Sequence, residues 1–377
     1  MKKPLVSCLL LVIALCTAHG LAAAAAPALN KDMREEIVMV KVGSGLGSVE
    51  LETTIFRPPG PGPFPLVLMN HGKAPGNPAF QGRSRYIDIS REFIERGYAV
   101  VIPMRRGFSK SGGQYIDGGC NLEGNGNAQA DDAEGVLRYA IQQPWVDPSR
   151  ILVMGQSHGG LTTIALGARN IANVKALVNF AGGLRRNEIG CQWQLSLIDA
   201  FADFGKKTKV PSVWFYGAND SYFNPELARN LHAAYTKTGT DAKLIAYGPF
   251  KNDSHGMSSS PEGVAIWWPE TEALLKKVGL PVEKVMHLAR YNDLPATGFA
   301  NIENVDAIPY IKASGHSGYT VFLQKNPPRA FAISAGGYWG WANGGDNPSE
   351  RAVANCQAKS SQPCQVYAID DHVVWSK

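Results

Sequence analysis

Short apolar runs alternate with helix-periodic stretches along most of this chain, and nothing else in it restricts the fold as much. Residues 66–69, 98–103, 151–154, 174–180, 212–216 and 243–247 read as largely apolar strands. Between them, 86–96, 131–142, 160–168 and 225–236 read as helices, and 265–278 as a closing helix. Ile87, Ile89, Phe93 and Ile94 share one helical face, as do Ala133, Val136, Leu137 and Ile141. Largely apolar strands joined by helices imply a mostly parallel sheet covered on both faces, so the predicted class is α/β. Only 36–42 and 48–57, joined through Gly43, Gly45 and Gly47, read as an antiparallel pair. The alternation stops near Pro281. Three segments are therefore expected: a leader at 1–26, an α/β catalytic domain at 27–280, and a small C-terminal α+β appendage at 281–377.

The leader reading rests on Lys2-Lys3, a short apolar run at 9–15 and the small residues 22–26, the layout of a removable secretory signal. Its apolar run is shorter than the roughly 20 residues that span a bilayer. Of the six Cys, Cys8 and Cys16 fall in the leader. The remaining even set predicts disulfides Cys120–Cys191 and Cys356–Cys364 in an exported protein of the bacterial periplasm or outside the cell. No Cys/His cluster has metal-ligand spacing, so neither metal nor cofactor is expected. The formal charge is +5, without a Lys/Arg run of the kind that nucleic acid or an anionic membrane attracts.

The chemistry centres on Gly155-Gln156-Ser157-His158-Gly159-Gly160. Gly-x-Ser-x-Gly alone would turn up by chance in roughly one such chain in four. Here it joins a predicted strand directly to a predicted helix. That context sets a serine on a sharp turn, with glycines where a side chain would clash. A serine hydroxyl needs a base, and the base an orienting acid. In this topology the order is Ser, acid, His, and Asp220 and His255 follow Ser157 in loops after strands, with Asp253 a second candidate acid. The backbone N–H of His158 is expected to meet a developing oxyanion. A second N–H is expected from Lys73 in Asn70-His71-Gly72-Lys73, with His71 organising that loop.

Together these residues resemble the α/β-hydrolase superfamily, and within it the dienelactone-hydrolase-like and prolyl-oligopeptidase-like branches. The resemblance covers roughly residues 36–280. It rests on His71-Gly72, on Arg106-Gly107-Phe108-Ser109-Lys110-Ser111-Gly112-Gly113, on the elbow at Ser157, on 217–220 and on His255-Gly256. It implies a central, mostly parallel sheet and a Ser157–His255–Asp220 triad. Dienelactone hydrolases carry Cys at the elbow, so the resemblance does not extend to a lactone substrate. Gly159-Gly160 is shared with serine peptidases of the prolyl-oligopeptidase type.

The expected function is an exported serine hydrolase acting on small-molecule carboxylic esters. A serine exopeptidase or amidase, and an inactive hydrolase fold used for binding, are the alternatives. Residues 183–206 read either as a small cap, tethered by Cys120–Cys191, or as a plain crossover helix. Tyr115, Trp193 and Tyr222 are the expected pocket wall. In the appendage, 330–333 and 366–369 read as strands around a helix at 348–358. Tyr338, Trp339 and Trp341 form either a satellite core or a carbohydrate platform. Neither natural substrate nor oligomeric state is readable.

Overall fold

A computed structural model describes residues 29–288, 294–325, 327–343 and 348–376. The leader expected at 1–26 lies outside the described residues. An eight-stranded sheet has the order β1-β2-β4-β3-β5-β6-β7-β8. Its strands are β1 (Glu36–Val42), β2 (Val49–Phe56), β3 (Phe64–Asn70), β4 (Ala99–Pro103), β5 (Val146–Gln156), β6 (Val174–Phe180), β7 (Ser212–Gly217) and β8 (Ala242–Tyr247). Strand β2 runs against both its neighbours, β1 and β4, and the others pair in parallel.

Strand side chains alternate between two cores, as the two-residue period requires. Leu66, Leu68, Ile151 and Val153 enter one core, which is closed by α2 (Leu122–Ala140), α3 (His158–Gly167), α4 (Trp193–Lys207) and α5 (Pro225–Thr236). Val67, Met69, Leu152 and Met154 enter the other, beneath α1 (Ile87–Ile94) and α6 (Val264–Lys277). Helix α2 starts nine residues before the predicted 131. Gly124 and Gly126 resemble breakers in sequence, yet Asn121 caps the helix by accepting from the Gly124 N–H at 2.8 Å. A side chain at Gly126 would meet Leu161 and Phe204.

Helix α4 resolves the choice left open at 183–206. Leu197, Ala200, Phe201 and Phe204 are buried in the first core, so this is a crossover helix and not a cap. Both predicted disulfides form. Cys120–Cys191 ties the loop before α2 to the loop before α4, and Cys356–Cys364 spans eight residues.

A second sheet, four-stranded, has the order β10-β9-β11-β12, from β9 (Arg329–Ser334), β10 (Trp339–Asn343), β11 (Cys364–Ile369) and β12 (His372–Val373). Helix α7 (Ala313–Leu323) covers one face, and α8 (Pro348–Gln357) the other. Trp339 stacks on Phe331 at 5.8 Å, over Gly315 and Gly318. It therefore belongs to the satellite core, whereas Tyr338 is exposed. The two sheets meet through charges and a strap. Tyr98 Oη donates to Pro281 O at 2.7 Å, and the buried Glu95 carboxylate accepts the Leu288 N–H at 2.9 Å. Arg85 pairs with Glu35 and, at 3.0 Å, with Glu350 of α8.

Candidate active site

In an open α/β sheet, sites form beyond the carboxyl ends of the strands where strand order reverses. Here the reversal lies between β4, beside one edge of β3, and β5, beside the other. The segment after β3 carries His71 to Lys73, and the residue after β5 is Ser157.

Ser157 has φ 57° and ψ −122°, a conformation a side chain rarely adopts. Such strain costs roughly 1–3 kcal/mol and persists only where the surroundings enforce it. The enforcement is visible. Ser157 N–H donates to Phe180 O at 2.9 Å, and Ser157 O accepts from the Gly160, Leu161 and Gly183 N–H groups. Two glycines let α3 start directly against the sheet. A Cβ on Gly159 would lie 2.0 Å from Asn70 O, and one on Gly155 would lie 2.1 Å from Gly159 O. Gly159→Ala should therefore cost more than about 4 kcal/mol, read as a lowered urea midpoint. An unchanged midpoint would mean that the helix can move away from the sheet.

Asp220 and His255 come together from the loops after β7 and β8. His255 Nδ1 lies 3.0 Å from Asp220 Oδ2, with the Asp220 side chain fully buried. Asp220 Oδ1 also accepts the N–H groups of Tyr222 and Phe223 at 2.8 and 2.9 Å. The Tyr222 ring packs on the imidazole at 4.4 Å. Asp253 touches the loop and not the ring: it accepts the His255 N–H at 2.9 Å and the Ser221 hydroxyl at 2.6 Å. Among the described residues no hydrogen bond joins Ser157 Oγ to His255. In ligand-free sites such contacts are often long and tighten around substrate.

A cleft of about 310 Å³ opens over Ser157, lined among others by Lys73, His158, Arg185, Arg186 and Tyr222. Of the three expected wall residues only Tyr222 lines it. Tyr115 stands behind His158, packed edge-on at 5.9 Å, because Gly107 admits its backbone closely. Trp193 opens α4 and turns onto Phe223 at 6.3 Å. Arg186 in the cleft wall binds both Asp117 and Glu188. Lys73 Nζ sits over the Tyr115 ring, and burial with the nearby Arg186 charge lowers its pKa.

Two residues bracing this site carried no signal in sequence. Tyr86, itself at φ 43°, accepts the Gly72 N–H at 3.0 Å and donates to Gln156 Oε1 at 3.4 Å. Gln156 in turn donates to His255 O at 3.1 Å, linking the two loops to the elbow.

Burial holds His71 and His158 well below the usual histidine value of 6.5, and the Arg105 charge adds to this. Their folded values lie below the unfolded one, so beneath about pH 6.5 the unfolded chain binds protons that the folded chain refuses. The stability they contribute is present above pH 6.5 and is lost as the pH falls. Two such groups give a slope of up to about 2.7 kcal/mol per pH unit. The urea midpoint should therefore drop clearly between pH 7 and pH 5, and a flat profile would contradict their burial as neutral rings.

A model of the X-Pro dipeptidyl-peptidase (S15) family matches residues 45–194, which include β2 to β6 and the elbow. A dipeptidyl aminopeptidase IV candidate from Bacteroides ovatus superposes with a TM-score of 0.50 at 18% identity, over 64% of this chain and 35% of that one. The chain has the α/β-hydrolase fold. An esterase from Pyrococcus furiosus is also similar to this chain, with a TM-score of 0.49 at 17% identity, over 66% of this chain and 93% of the esterase. An uncharacterized peptidase of Bacillus subtilis strain 168 is 27% identical over 219 residues, which are 52% of this chain and 31% of that relative. The chain thus spans under a third of that relative's length.

Proposed function

We propose that this chain is an exported serine hydrolase that cleaves carboxylic esters of small molecules through an acyl-enzyme on Ser157. The observation that carries the reading is a serine held at φ 57° on a strand–helix elbow, on the same sheet edge as a histidine bonded to a buried aspartate. His255 takes the Ser157 proton as Oγ attacks the ester carbonyl. Asp220 holds the Nδ1–H tautomer and stabilises the imidazolium. The N–H groups of His158 and Lys73 receive the oxyanion; His158 is the first residue of α3, where a backbone N–H has no partner within the helix. His255 returns the proton to the alcohol as it leaves. Water, deprotonated by His255, then releases the acid. Two disulfides support export into an oxidising compartment.

The match to the S15 peptidase family favours a second reading, hydrolysis of aminoacyl amides. The cleft argues for esters. A peptide ammonium needs a carboxylate, and the acids lining the cleft, Asp117 and Glu188, are both held by Arg186. Turnover of p-nitrophenyl acetate and butyrate should exceed that of Ala-Pro-p-nitroanilide by at least a hundredfold in kcat/KM. Faster anilide cleavage would replace the ester reading by the peptidase one.

A further inference from the structure

Arg105 sits behind the elbow with no exposed surface, and among the described residues no carboxylate pairs with it. Asp132 is taken by Arg106: its Oδ1 accepts from Nε at 2.9 Å and from Nη2 at 2.7 Å, and its Oδ2 accepts the Arg106 backbone N–H at 2.8 Å. A buried cation without a counter-charge costs several kcal/mol and is rare unless its field is used. Neutral dipoles surround it instead. Nη2 donates to His71 O at 2.8 Å and meets His158 Nδ1 at 3.3 Å, and Nε donates to Gln129 Oε1 at 3.0 Å. Nη1 has no hydrogen-bond partner. Burial lowers the guanidinium to about 10, so it stays charged at neutral pH.

These contacts fix both histidines by donor logic alone. Arginine only donates, so His158 Nδ1 must accept, and its Nε2–H then donates to Asn125 Oδ1 at 2.7 Å. The Arg105 backbone N–H donates to His71 Nε2 at 3.1 Å, so the His71 proton lies on Nδ1 and is given to Gly72 O at 2.7 Å. In a trans peptide C=O and N–H point opposite ways. Fixing Gly72 O therefore fixes the direction of the Lys73 N–H. One guanidinium and its own backbone thus address both residues proposed as oxyanion donors.

We propose that Arg105 is a positioning residue for the oxyanion site, orienting the Lys73 peptide through His71, holding His158, and directing an uncompensated positive field toward the charge that develops beside Ser157. This rests on the serine-hydrolase reading above. Preorganised charge of this kind is worth most where water is excluded.

The test compares wild type, Arg105→Met and Arg105→Lys by the second-order rate of fluorophosphonate labelling at Ser157, by inhibition with phenylboronic acid, and by urea unfolding. Both probes load negative charge into the oxyanion site. Arg105→Met should label about a hundredfold more slowly and lose a similar factor in boronate affinity, while its unfolding midpoint stays level or rises because a buried charge has gone. Arg105→Lys, which keeps the charge and loses the fork, should fall between. Rates that fall only as far as the folded fraction falls, or a methionine variant that labels as fast as wild type, would overturn the proposal. If Arg105→Met does not fold, the lysine variant decides: wild-type labelling and boronate affinity would overturn it. Wild type that takes no label at all would instead overturn the hydrolase reading beneath it.

Discussion

Ser157→Ala should abolish the fluorophosphonate adduct and lower ester turnover by about 10⁵–10⁶-fold, with the fold intact. No other group stands on the elbow, and the small side chain relieves none of the backbone contacts that hold residue 157 at positive φ. KM should change little, because Oγ is one atom among the lining of the cleft. Peptide mapping of labelled wild type should find the adduct on Ser157 alone. Equal labelling of the alanine variant, or an adduct elsewhere, would remove the serine from the mechanism and return attention to a binding role.

Asp220→Asn is the second large effect, about 10⁴-fold in kcat. The amide oxygen can still accept the Tyr222 and Phe223 N–H groups, so the loop keeps its shape. Its NH₂, however, now faces His255 Nδ1 and must donate, which forces the ring proton onto the nitrogen that should receive the serine's. Asp253→Asn is the control, since Asp253 caps the same loop without touching the imidazole. It should keep activity within about tenfold. If the two variants exchanged their effects, the acid of the triad would be Asp253.

Much of the larger sheet was legible because parallel sheets buried on both faces write themselves as nearly continuous apolar runs. Strands β1 and β6 and helix α5 match their predicted bounds. The elbow was legible because its glycines answer a local steric demand. What escaped depends on contacts between distant segments. The first turns of α2 were masked by Gly126, which lets Leu161 and Phe204 approach, and by Gly124, which sits against the capping Asn121. Helix α7 and strand β10 were missed because Gly315, Gly318 and the tryptophans make sense only packed on one another. Arg105 carries no signal of its own in the sequence, and only the fold separates a partly exposed, salt-bridged Arg106 from a buried neighbour that no carboxylate among the described residues pairs with. Tyr115 and Trp193 were read toward the cleft by proximity in sequence, whereas their rings turn to His158 and Phe223.

The ion cluster at Arg85 has a consequence for truncated forms of this chain. Glu350 reaches Arg85 from helix α8, and the residue after Arg85, Tyr86, braces Gly72 and Gln156 beside the serine. A stop codon or a proteolytic cut beyond the strap would take Glu350 away from that guanidinium and open its surroundings to water. The lost segment contains none of the residues proposed for catalysis, yet its loss would be felt beside Ser157, so a truncation far from the cleft in sequence need not be mild.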